Sequence, residues 1–219
     1  MFLIKKLLLL TGVACFTVHL FAQTITPELS KINDGKTWKI YNRSVATGAF
    51  NDQNTVHFDA RQGDGIAIFQ NLQFESGTIE FDVKGKDVLQ QSFVGVAFHI
   101  QNDSTFNAVY FRPFNFEKPE RTSHSVQYIS HPKFTWQKLR SEFPEQFEKT
   151  VVPVPNPDEF FHARIEVEWP FVKVFVENSD IPSLEVKMLS TFKKGKVGLW
   201  VGNGSDGSFK NLVVKSVKQ

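Results

Sequence analysis

The stretch from Phe93 to Pro113 limits the fold more than any other part of the chain. It reads FVGVAFHI, then QNDST, then FNAVYFRP. Two apolar runs flank Gln101–Thr105, which has the composition of a turn. In the first run Val94, Val96, Phe98 and Ile100 alternate with Gly95, Ala97 and His99. In the second, Val109 and Phe111 alternate with Ala108, Tyr110 and Arg112. Strand side chains point to opposite faces in turn, so this period predicts a hairpin with one face in a core. The alternation puts His99, Tyr110 and Arg112 together on the other face. An imidazole, a phenol and a guanidinium beside small residues make a surface suited to a polar ligand. A single β-bulge would turn one of them away.

Similar alternation recurs along the chain. Strands are expected near Trp38–Tyr41, Thr55–Ala60, Ile66–Phe69, Gly77–Lys84, Phe93–Ile100 and Phe106–Arg112. Others are expected near Ser125–Ile129, Ala163–Glu168, Val172–Glu177, Leu184–Met188, Lys196–Val201 and Phe209–Val217. In GTIEFDVK, Ile79, Phe81 and Val83 should face the core, with Glu80, Asp82 and Lys84 facing away. In KVGLWV, Val197, Leu199 and Val201 oppose Gly198 and Trp200. Phenylalanine is abundant (23) and methionine scarce (2), and helix-period segments are rare. About a dozen short strands in one compact chain predict an all-β sandwich or jelly roll. No repeat or linker divides the chain, so residues 23–219 read as one domain.

Residues 1–22 read as a signal peptide. Lys5 and Lys6 precede the apolar run Leu7–Val18, which is short for a membrane span, and Ala22 offers a cut before Gln23. An uncleaved anchor is one alternative. A lipoprotein anchored through Cys15 is another, but Gly12-Val13-Ala14 lacks the usual leucine three places before the cysteine. Cleavage removes the only cysteine, and an exported domain of about 195 residues can fold without disulfides. It also lowers Lys plus Arg from 25 to 23, against 23 Asp plus Glu. A mature charge near zero argues against a nucleic-acid partner or an anionic membrane.

Between the hairpin and the Ala163 strand lies an insert, about residues 114–160, with six of the ten prolines. Loops of this length in compact domains usually have a role. Phe134–Arg140 followed by Phe143 has helical spacing, with Thr135 placed to cap a short helix. Val152–Pro157 favours an extended polyproline path. The apolar content implies that the insert packs on the domain. A cover over the polar face of the hairpin would create a ligand cleft.

Several side chains are candidates for chemistry. His124, Gln127 and Tyr128 come from the insert, although Gln127 and Tyr128 must point to opposite faces of a regular strand. Trp200 is either a platform for sugar stacking or a ring covered by a loop. Glu80 and Asp82 share a strand face, and a solvated face is the better account of them. Asn203–Gly207 has oxygen-rich loop chemistry that could hold calcium, and is also ordinary turn composition. Asp158-Glu159 reads as a turn. No zinc spacing, phosphate loop, dinucleotide fingerprint or nucleophile elbow is present.

The order GTIEFDVKG, FVGVAFH, AVYFRPFNF, SVQYISHP, VKVFVEN and KVGLWVGNGSDGSFKNLVV resembles concanavalin A-like jelly rolls. It is most similar to the bacterial laminin-G-like domains grouped with the 3-keto-disaccharide hydrolase domain family, from about Trp38 to the C-terminus. The resemblance implies a concanavalin A-like β-sandwich that handles sugar outside the cytoplasm. In laminarinase-type relatives of the fold a strand carries Glu-x-Asp-x-x-Glu. Here Gly85 stands in place of the second glutamate, which speaks against that paired-carboxylate mechanism.

The reading is therefore an exported domain that binds or cleaves carbohydrate on the His99/Tyr110/Arg112 face under the insert. As an enzyme it would cleave 3-keto-glycosides, with His99 or Glu80 as base and Arg112 polarising the carbonyl. As a binding module it would stack sugars on Trp200, Tyr110 and Tyr128. A laminin-G-like protein-interaction domain is the third reading.

Overall fold

In a computed structural model, residues 21–218 are described. The expected leader through Leu20, with Cys15, lies outside them. The chain runs through β1 (Phe21–Ile25), β2 (Trp38–Tyr41), β3 (Val45–Thr47), β4 (Val56–Phe58) and β5 (Gly65–Phe74). Next come β6 (Ser76–Lys84), β7 (Val94–Asn102), β8 (Thr105–Phe111), β9 (Val126–His131), α1 (Trp136–Glu142) and β10 (Glu148–Lys149). It closes with β11 (Phe161–Glu168), β12 (Phe171–Val176), β13 (Leu184–Lys187), β14 (Gly195–Val201) and β15 (Gly207–Lys218).

These strands form two antiparallel sheets. One has the order β13-β12-β11-β6-β15-β4-β3, with β1 also paired to β15. The other has the order β10-β9-β8-β7-β14-β5-β2. Their facing sides make one continuous hydrophobic cluster. Ile79, Phe81 and Val83 enter it from β6, and Val94, Val96 and Phe98 from β7, all fully buried. Glu80, Asp82 and Lys84 stay half-buried on the outer face. The alternation in both segments is thus realised as the sequence predicts, since one residue of slip would expose the whole apolar set.

Three differences matter. The hairpin turn is tighter than expected: Asn102 pairs with Thr105, leaving Asp103 and Ser104 as the loop. The Asn102 side chain accepts from the Ser104 N–H at 3.0 Å, which closes that loop. The insert is more than a cover, because β9 and β10 extend the seven-stranded sheet beyond β8. Finally, β1 and β3 are strands that the apolar pattern does not announce. β1 begins at Phe21, ahead of the expected cut at Gln23, and pairs with the end of β15.

Candidate functional site

The outer face of the seven-stranded sheet carries a cavity of about 630 Å³. Its floor follows from the register. Gly95 pairs with Trp200 on one side and with Tyr110 on the other. Glycine leaves no side chain between them, so the two rings meet with centroids 5.0 Å apart. A Cβ at Gly95 would lie 2.1 Å from the Val109 carbonyl oxygen and 2.9 Å from Tyr110 Cβ. Trp200 is therefore neither an open platform nor hidden under a loop alone. It is a buried ring whose edge lines the cavity.

The insert forms the roof. Thr135 caps α1 by accepting from the Lys138 N–H at 3.4 Å, as the sequence predicts. Leu139 anchors the helix in the core, while Trp136 stays 40% exposed. Trp136, Gln137 and Arg140 line the cavity from above, and Phe93 and Leu89 line it from the β6–β7 side. The Arg140 guanidinium lies over the Trp136 ring, 5.1 Å from its centroid.

Arg112 lies at the centre of a buried polar network and is 4% exposed. Its Nη1 donates to the His124 carbonyl at 2.8 Å and to Glu148 Oε2 at 3.2 Å. Its Nη2 donates to the Tyr110 hydroxyl at 2.7 Å and to Gln127 Oε1. Tyr110 donates in turn to Gln127 Oε1 at 2.7 Å, and burial pushes its pKa up to about 12. Arg140 grips Glu148 twice, at 2.8 and 2.6 Å. Burial alone would raise the Glu148 pKa. The Arg140 hydrogen bonds and the charges of Arg112 and Arg140 instead hold it below the ordinary carboxylate value. His124 Nδ1 stands 3.1 Å from Glu148 Oε1 but out of line for a hydrogen bond.

The expected site thus divides. Tyr110, Arg112, Gln127, His124 and Trp200 come together at the cavity or in the network behind it. His99 does not join them. The register between β7 and β8 shifts after Phe98, and His99 takes a φ of 48°. This bulge turns its ring into the core, where it is fully buried beside Phe74 and Phe98. There Nε2–H donates to the Glu75 carbonyl at 2.7 Å, and burial lowers the pKa. Tyr128 also faces the core, donating to Asn107 Oδ1 at 2.7 Å. It is fully buried and cannot stack on a sugar.

Glu80 lies on the outer face of the opposite sheet. It is ion-paired with Lys215 at 2.8 Å and is no part of the cavity. Asp82 beside it contacts His162 at 2.8 Å. As placed, His99, Arg112 and Glu80 do not form one catalytic group. The oxygens of the Asn203–Gly207 loop are used for fastening. Asn203 Oδ1 accepts from the Gly63 N–H at 2.7 Å, Ser205 Oγ accepts from the Phe93 N–H at 3.0 Å, and Asp206 pairs with Lys86 at 2.9 Å. Among the described residues no cluster of three His, Cys, Asp or Glu side chains is placed to hold a metal ion.

Sequence reading missed Asp64, His131, Arg121, Trp136 and Arg140 as cavity residues. Asp64 and His131 influence each other: burial raises the Asp64 pKa and lowers that of His131, while the opposite charge of each opposes the shift. No short motif joins two residues so far apart in the chain. The signal within reach was Trp136 and Arg140, one helical turn apart on a helix that the sequence does predict.

Neither a family model nor a curated protein matches the chain. Solved structures do. The carbohydrate-binding module CBM66 from Bacillus subtilis aligns over 81% of this chain and 95% of its own, at 15% identity and a TM-score of 0.57. The exoplasmic/lumenal domain of VIP36, in its Ca²⁺-bound form, aligns over 90% of each chain at 11% identity and a TM-score of 0.60. A native glycosidic hydrolase aligns over 91% of this chain and 97% of its own, at 11% identity and a TM-score of 0.55. With two antiparallel sheets packed face to face and these neighbours, the chain has the concanavalin A-like β-sandwich fold.

Proposed function

We propose that this protein is an exported carbohydrate-binding domain whose site is the cavity between the seven-stranded sheet and α1. The observation that carries the reading is the cavity itself. Its volume of about 630 Å³ falls in the range of small-ligand sites. Its wall mixes aromatic rings (Trp136, Trp200, Tyr110) with polar side chains that suit sugar hydroxyls (Gln137, Asn203, His131). Sugars present an apolar ring face and a rim of hydroxyls, and such a wall meets both. The structural neighbours support the reading: CBM66 is a carbohydrate-binding module, and VIP36 was solved with Man3GlcNAc and with Man2.

Cleavage of glycosides, 3-keto-glycosides among them, is the second reading. Asp64 and His131 favour it, since both line the cavity and each is shifted toward its neutral form by burial. A carboxyl and an imidazole in one cavity can serve as acid and base.

One experiment tests both. The purified chain is titrated calorimetrically with a panel of ordinary and 3-keto oligosaccharides, and the mixtures are assayed for released sugar. Binding heat that Trp136→Ala abolishes, without lowering the melting temperature, is the expected result. Released sugar would move the assignment to cleavage. No heat with any sugar refutes both and leaves a laminin-G-like interaction domain.

A further inference from the structure

We propose that the cavity is built for carbohydrate whose rings carry a carboxylate, that is, for uronate-containing glycans. This rests on the carbohydrate-binding reading above. Arg112, Arg121 and Arg140 line the cavity, and Asp64 is the one acidic side chain among its described lining residues. Arg112 and Arg140 share the single carboxylate of Glu148. Arg112 and Glu148 are buried while Arg140 is 37% exposed, so the group carries one positive charge in excess, and Arg140 presents it at the cavity. A ligand carboxylate balances that charge, and a neutral sugar does not.

The donors are also free to act. Arg140 directs Nε and Nη2 at Glu148, and its Nη1 has no partner among the described residues. Its side chain is 37% exposed, so the free end reaches solvent at the cavity. Arg121 is held in place by Asn115 Oδ1 at 3.0 Å and the Phe114 carbonyl at 3.2 Å. Its acidic partner Glu120 is 65% exposed, where an ion pair is weak and readily exchanged. A planar guanidinium with two hydrogens to spare fits a carboxylate better than it fits a hydroxyl.

Besides His124 Nδ1, two unmet hydrogen-bonding groups near the cavity have the same polarity. Trp200 Nε1–H and Gln127 Nε2–H are buried beside the floor without partners, and both are donors. The opposing charge is Asp64, whose carboxyl burial shifts toward the neutral form.

The test titrates the purified chain with oligomers of galacturonate, glucuronate and mannuronate, each beside its methyl ester. The ester keeps the ring and removes the charge. At least one acid is expected to bind about tenfold more tightly than its ester. The gap should shrink as salt rises from about 20 mM to about 300 mM, because screening weakens exposed charge pairs. Arg140→Gln and Arg121→Gln should each lower affinity for the acid at least about threefold more than affinity for the ester, so that the gap between the two narrows. Arg121 does not touch Glu148, so its variant stays informative if Arg140→Gln fails to fold. Acids binding no more tightly than esters overturns the proposal and leaves carbohydrate binding standing. A preference for acids that both variants retain overturns it as well. No sugar binding at all overturns this proposal together with the function it rests on.

Discussion

Glu148→Gln tests the buried network most directly. Glu148 is 2% exposed and accepts two hydrogen bonds from Arg140 and one from Arg112, itself 4% exposed. The amide keeps the shape but removes the charge, and it sets an N–H₂ group against guanidinium donors. Arg112 keeps its bonds to Tyr110, Gln127 and the His124 carbonyl, but its charge loses its buried counter-ion. Breaking a buried pair by removing one partner costs about 3–5 kcal/mol. For a chain of this size that lowers the melting temperature by about 6–20 °C. Denaturant titration gives the free energy, and calorimetry gives the midpoint. A second arm replaces both ends at once, as Arg112→Met with Glu148→Leu. It should lose less than Glu148→Gln alone, because no fully buried charge is left without a counter-ion and the freed Arg140, 37% exposed, is solvated. A loss below about 1 kcal/mol in the single variant would refute the reasoning, since Arg112 would then need no carboxylate. The wild type also has a sign to check. Its Glu148 pKa is depressed on folding, so the contribution is present at neutral pH and lost as pH falls through the folded value.

Two further outcomes follow from where the sequence-predicted residues lie. His99→Ala should destabilise by about 2–4 kcal/mol, because it empties a core site and orphans the Glu75 carbonyl. It should leave sugar affinity unchanged, and a folded His99→Ala that loses binding would contradict the bulge placement. On the opposite sheet, the Asp82 hydrogen bond raises the pKa of His162 above 6.5. Its contribution is complete below that value and fades as pH climbs through the folded one. Asp82 is held below 3.8 by His162 and Asn211 despite burial, so its share is lost only as pH falls below that value. The pair therefore stabilises most between about pH 4 and 6.5. Asp82→Asn should cost stability at pH 5.5 and less at pH 8.5, read as melting temperatures. An equal cost at both pH values would sink the account. Half-buried His131 and buried His99 act in the opposite sense, losing stability below 6.5, so the difference between variant and wild type is the quantity to compare.

The sandwich was legible in the strand pattern alone. Period-two alternation is a local property, and one apolar face per strand leaves two packed sheets as the way to bury it. The same local logic placed Val197 and Leu199 opposite Trp200, set Gln127 against Tyr128, and ended a helix cap at Thr135. The side that His99 takes was not legible there. A bulge depends on how β7, β8 and β14 share their ladders, and no residue spacing in β7 records that. The partners of Arg112 were not legible there either. Glu148 follows it by 36 positions, in a stretch with no apolar alternation, and only the pairing of β10 with β9 carries its carboxylate under the guanidinium. Asp64, just before β5, and His131, at the end of β9, reach one cavity from different places in the sheet order. Local pattern fixes which face a side chain takes within a regular strand. Which distant side chains share that face is set by register and topology, and the cavity chemistry depends on both.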